Sequence, residues 1–136
     1  MTKLEVRDVL LVEAHRILKE EAKRAVQKIG KPTPQEARSE VLSYPPKEVL
    51  FSEELDALEA LKLPPAALTA VERVVANACA STLFHFFCLM DSVADPELVK
   101  VEHWSGADFV SPREEGNFLH DEFLEKYWAY EKAGAV

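Results

Sequence analysis

The chain has 136 residues, 48% hydrophobic and 29% charged, with 16 Lys plus Arg against 24 Asp plus Glu and a formal charge of −8. That is the profile of one soluble globular domain, long enough to bury about two-thirds of its unfolded surface without a disulfide or metal staple. An acidic total without a Lys/Arg block argues against nucleic acid or an anionic membrane, which both select basic patches, and favours a basic protein partner.

From Leu4 to Ile29 the apolar positions Leu11, Ala14, Leu18, Ala22, Ala25, Val26 and Ile29 fall at steps of three and four, which predicts a first helix with one buried stripe. Gly30 is placed to end it in a left-handed cap and Pro32 forbids continuation. The N-terminus mixes charges of both signs where a secretory signal would carry an unbroken apolar run, so the expected location is cytoplasmic. Thr33-Pro34-Gln35-Glu36 reads as a capping box opening a short helix over 34–42, which Tyr44-Pro45-Pro46 breaks. Ser52 with Glu53 and Glu54 predicts the N-terminus of a third helix lasting to Leu63-Pro64-Pro65, with Leu55, Leu58 and Leu61 inward.

The fourth predicted helix runs from Pro65 to about Asp91 without internal glycine or proline. Leu68, Val71, Val75, Ala78, Cys79, Thr82, Phe86 and Leu89 form one stripe, and Val74, Phe84, Phe87 and Cys88 make the other side apolar too. A helix apolar all round is expected at the centre of a bundle, enclosed by its neighbours. Its longest apolar stretch, Ala78 to Met90, is interrupted by Ser81, Thr82 and His85 and falls short of the roughly 20 residues of a bilayer span. It is therefore expected as a core element, with no membrane contact. Cys79 and Cys88 lie more than two helical turns apart, outside disulfide reach, and read as small core residues.

Beyond Asp95-Pro96, Val99, Val101 and His103 alternate with Lys100, Glu102 and Trp104 before the Ser105-Gly106 turn and Phe109-Val110, which predicts a small β-hairpin. A final helix is expected from about Asn117, as cap, to Ala133, with Leu119, Phe123, Tyr127 and Tyr130 inward. The expected architecture is a mainly α single domain over 1–136, of about five helices around a central apolar helix, with a short hairpin before the C-terminal helix.

The four glycines all lie at element ends, which leaves none for a nucleotide-binding loop, and no serine stands in a nucleophile elbow. Asp91 to Glu97 lacks calcium-loop spacing and reads as a helix end followed by a turn capped by Asp95. His15, His85 and His120 fall on three predicted helices, so a metal or acid-base site using His85, His120 and Asp121, with Asp91 as a further member, is the rival reading, although neither His-Glu-x-x-His nor Glu-x-x-His occurs. The sequence of His85, amid Phe84 and Phe86-Phe87, suits a buried hydrogen-bonded imidazole. No cofactor is expected.

Charge is unevenly placed: residues 1–90 carry net −1 and residues 91–136 net −7. A localised negative field steers basic partners. The same region concentrates Trp104, Phe109, Phe118, Phe123, Tyr127, Trp128 and Tyr130, and one narrow helical stripe cannot bury Tyr127, Trp128 and Tyr130 together. Asp121, Glu122, Glu125 and Trp128 are therefore the candidate partner-binding residues, an aromatic anchor among rim charges. A homodimer using the Tyr127-Trp128-Tyr130 surface is a further alternative.

Phe86-Phe87-Cys88-Leu89-Met90-Asp91-Ser92-Val93, followed by Phe118-Leu119-His120-Asp121-Glu122-Phe123, resembles small uncharacterised bacterial helical proteins of the immunity or accessory type. The resemblance covers the C-terminal half through a loose motif. It implies a central apolar helix ending in Asp91 beside a final helix entered through Leu119-His120-Asp121, and it assigns no catalytic residue. Together these readings lead to an expected protein-interaction module without an active site, in its most concrete form an immunity-type inhibitor of a basic toxin or nuclease.

Overall fold

The computed structural model describes residues 3–31, 41–42, 44–99, 101–106 and 118–134. Within them the chain is mainly helical: α1 (Lys3–Gln27), β1 (Val41–Leu42), β2 (Glu48–Val49), α2 (Ser52–Ala60), α3 (Pro65–Met90) and α4 (Leu119–Gly134). The chain divides into two compact units, Glu21–Val75 and the remainder, Met1–Glu20 with Ala76–Val136.

In the unit Glu21–Val75, α1 ends as its glycine predicts. Gly30 takes φ +70°, donates its N–H to the carbonyl of Leu58 at 2.8 Å, and lies so close to Leu61 that an added Cβ would stand 2.5 Å from its carbonyl oxygen. Only glycine meets both demands. Residues 32–40, which hold most of the helix expected over 34–42, lie outside the described residues, and Val41–Leu42 is a strand. It pairs antiparallel with Glu48–Val49, Val41 opposite Val49 and Leu42 opposite Glu48, across the turn 44–47.

The helix expected to be capped by Ser52 instead has Phe51 at its cap position, whose side chain offers no acceptor. Glu54 accepts the Phe51 N–H at 2.8 Å and so satisfies the turn from within the helix. Leu55 is buried, whereas Leu61, past the end of α2, is exposed.

The second unit is built on α1, α3 and α4. Leu11, Leu18, Leu119 and Phe123 form its buried centre, and Ala14, Ala76, Cys79, Ala80, Leu83, Phe84, Phe87 and Met90 pack against it. The seven α3 positions in that set step by three or four, giving one continuous stripe. It is not the stripe expected from sequence. Of the expected residues from Val75 onward only Cys79 belongs to it, and Ala78, Thr82 and Phe86 are exposed. Nor is α3 an enclosed central helix, because none of its residues is fully buried. The physical reason lies in the small side chains Ala76, Cys79 and Ala80, which let neighbours approach closely on that side. Asn77, Ser81, Thr82 and His85 are left facing water.

The Ser81 hydroxyl and the His85 imidazole lie 3.5 Å apart, and Thr82 donates to the carbonyl of Ala78, so the outer side of α3 is partly polar. As an uninterrupted 26-residue helix α3 is nevertheless long and apolar enough, by length and composition, to cross a membrane, contrary to the shorter span read from sequence.

Ion pairs Arg7–Glu122 at 2.7 Å and Asp8–Lys126 at 3.1 Å, with the His15 ring further along against Tyr130, set α1 and α4 side by side and parallel. The residues expected as a hairpin form no strand among those described. Val99, Glu102 and His103 lie in bends, and Lys100, Phe109-Val110 and the expected cap Asn117 lie outside the described residues. The cause is docking: Trp104 Nε1 donates to the carbonyl of Leu89 at 2.9 Å and the Gly106 N–H donates to Ser92 Oγ at 2.7 Å, so this backbone follows the end of α3 instead of a ladder.

Candidate functional site

The end of α3 is shaped by a Schellman arrangement without glycine. Ser92, at φ +62°, donates its N–H to Leu89 and Val93 donates to Cys88, at 3.2 and 3.0 Å. This turn directs the Asp91 carboxylate inward, where it is 2% exposed. Oδ1 accepts the N–H of Leu119 at 3.0 Å, and Oδ2 accepts the N–H of His120 at 2.9 Å and Nδ1–H of the same residue at 2.6 Å.

An α-helix begins with four N–H groups that lack helical acceptors. Asp91 satisfies two of them in α4 from across the chain, and its charge faces the positive end of that helix dipole.

Around this junction the His120 ring meets Phe84 edge-on at 5.5 Å between centroids and Phe118 at 5.6 Å, and Nε2 lies 3.6 Å from Asp121 Oδ1. Asp91 thus fixes Nδ1 and leaves Nε2 as the atom through which a proton could move. The nearby thiol is poorly suited to join it as a nucleophile. Partial burial, then the charges of Asp91 and Asp121, push the Cys88 thiol up, away from the thiolate that attack requires. The arrangement accordingly joins helices.

Of the rival site, His120 and Asp121 come together with Asp91, the residue that the resemblance set beside them. His85 is exposed and sits with Ser81, correcting the buried role expected for it. Among the described residues no three His, Cys, Asp or Glu side chains form a group suited to a metal ion. His15, the third imidazole considered, is buried in α1: its Nε2 bonds the carbonyl of Phe123 at 2.5 Å, its ring stacks on Phe123 at 4.3 Å, and Tyr127 and Tyr130 complete the cluster.

That cluster takes in the two tyrosines expected inward, and only Trp128 of the Tyr127-Trp128-Tyr130 surface named for a homodimer is left in the open. Tyr127 and Tyr130 turn toward His15, and Trp128, with an edge contact to Tyr127, alone of the three faces water, 68% exposed. Glu122 is also drawn off the outer face, by Arg7, and Lys126 by Asp8. Ala129, Glu131, Lys132 and Ala133 are exposed toward the end of α4, and ahead of them Asp121, Leu124, Glu125 and Trp128 remain outward, with Leu124 54% exposed. Steps of three and four align them on one face. Leu124 was missed although the inward positions expected from sequence, Leu119, Phe123, Tyr127 and Tyr130, already leave it on the outer side.

No protein-family model matches this chain, and no curated protein or solved structure matches it.

Proposed function

We propose that this chain is a protein-interaction module whose outer α4 face, Asp121, Leu124, Glu125 and Trp128, docks a protein with a basic surface. An immunity-type inhibitor of a basic toxin or nuclease is the most concrete form of that role, acting in the cytoplasm without a cofactor. The observation that carries the proposal is the exposure of Leu124 and Trp128 on the same side of α4 as the carboxylates of Asp121 and Glu125, while Glu122 and Lys126 of that helix are engaged with α1. A large ring flanked by acids is what an interface anchor requires: area to desolvate at the centre and charge at the rim. The net −7 of residues 91–136 adds a field that accelerates encounter with a basic surface.

The test is affinity capture from the native host with wild type, Trp128→Ala, Asp121→Lys/Glu125→Lys, and Glu97→Lys/Glu102→Lys as a control of equal charge change elsewhere. A partner recovered by wild type and the control but lost by both face variants supports the proposal, and its association rate should lose salt dependence in the charge reversal. A partner retained equally by wild type and all three variants overturns it.

A further inference from the structure

Resting on that reading of the α4 face, we infer that the basic surface it receives belongs to a second copy of this chain: the end of α1 and its capping turn. Residues 22–31 carry four bases and no acid, although the whole chain is acidic. Lys23, Arg24, Lys28 and Lys31 are all exposed. Arg24 pairs with Glu21 at 2.5 Å, an exposed contact that is cheap to exchange. Lys23, Lys28 and Lys31 make no ion pair among the described residues. Gly30, held by Leu58 and Leu61, fixes where this turn leaves the helix, so the cluster has a defined shape.

The two surfaces match in spacing as well as in sign. Arg24 and Lys28 are four residues apart, as are Asp121 and Glu125, so each pair spans about one helical turn of roughly 6 Å. Trp128 lies one turn beyond Glu125 and presents the ring face that suits a guanidinium or ammonium group. The exposed Ala25, beside Arg24, leaves room for Leu124. Both surfaces are exposed in the single chain, so an intermolecular contact can use them without unfolding either one.

The test is a reciprocal charge swap read by sedimentation velocity over a range of protein concentrations. Salt alone is a poor discriminator here, because it also screens the repulsion between two chains of net charge −8. Wild type should associate as concentration rises. Asp121→Lys/Glu125→Lys and Arg24→Glu/Lys28→Glu should each weaken that association by at least about tenfold while keeping the far-ultraviolet circular dichroism of wild type. An equimolar mixture of the two variants should associate again.

Wild type that stays monomeric throughout, or variants that fail to recombine, would overturn the second copy as partner. The acidic face itself is tested separately with a synthetic Leu/Lys amphipathic helical peptide. Binding by wild type and loss in Asp121→Lys/Glu125→Lys would leave that face standing even if self-association fails, and absence of binding there would remove it.

Discussion

Asp91 and His120 meet twice through one oxygen: Oδ2 of the aspartate accepts the histidine backbone N–H at 2.9 Å and its ring Nδ1–H at 2.6 Å. The pairing resolves an electrostatic oddity. An aspartate just past the last residue of α3 stands at the negative end of that helix dipole, where a carboxylate is disfavoured, and the positive start of α4 offsets the penalty.

Replacing Asp91 should therefore be costly. Asp91→Ala leaves the N–H groups of Leu119 and His120 without their acceptor in a buried place, and a loss of about 2–3 kcal/mol is expected in urea unfolding. Asp91→Asn should lose less, since its carbonyl oxygen can still accept one of them. A loss below about 0.5 kcal/mol for the alanine variant would show that the junction does not hold the helices together.

Gly106 gives a steric prediction. A Cβ there would stand 2.2 Å from the carbonyl oxygen of Met90 and 2.5 Å from that of Leu89. Both are backbone atoms, so the strap must lift. Gly106→Ala should destabilise by about 1–3 kcal/mol and shift Trp104 emission to longer wavelength as its indole leaves Leu89. Unchanged stability and fluorescence would contradict the close approach.

Cys88 gives a pH dependence. Its thiol is held up relative to the ordinary value of 9.0, so the folded chain retains a proton that the unfolded chain releases first. The unfolded state then binds fewer protons, and stability falls as pH rises through that interval. The contribution is complete below about pH 9 and declines above it. Cys88→Ser should flatten this alkaline decline, and iodoacetamide should modify Cys88 at pH 8 more slowly than it modifies a small-molecule thiol.

The two sides of α4 should separate stability from binding. Trp128→Ala touches an exposed ring and should change unfolding free energy by no more than about 0.5 kcal/mol. Phe123→Ala empties a fully buried site and should cost about 3–5 kcal/mol. Similar values for the two would mean that Trp128 supports the fold and is not held in reserve for a partner.

Much of the helical framework could be read from the sequence because its punctuation is strong. Pro65 opens α3, and Gly30 closes α1 with the positive φ expected of it. The side on which α3 packs could not be read, because a helix with apolar residues all round offers several equivalent stripes and only the neighbours choose among them. The alternation of Val99 and Val101 suggested strands, but the pairing that strands require was taken by Trp104 and Gly106 docking on α3.

For the candidate site, Asp121, Glu125 and Trp128 were visible as an acidic and aromatic spacing, whereas the removal of Glu122 depends on Arg7, more than a hundred residues away. From its own surroundings Asp91 was readable only as a helix end, and its place beside His120 came from the resemblance alone. A signal did exist, namely a carboxylate where its own helix disfavours one, but its compensating partner begins at Leu119 and leaves no local trace.

Because Asp91 holds the start of α4, the chain from Ser92 to Phe118 forms a circuit closed by hydrogen bonds. Lengthening such a circuit is inexpensive, about 0.6 kcal/mol for each doubling. Evolution or an engineer could thus insert a peptide epitope or a reporter beside Leu98, whose side chain is 95% exposed, and leave both helices in register. The clasp makes this stretch a natural port for new sequence.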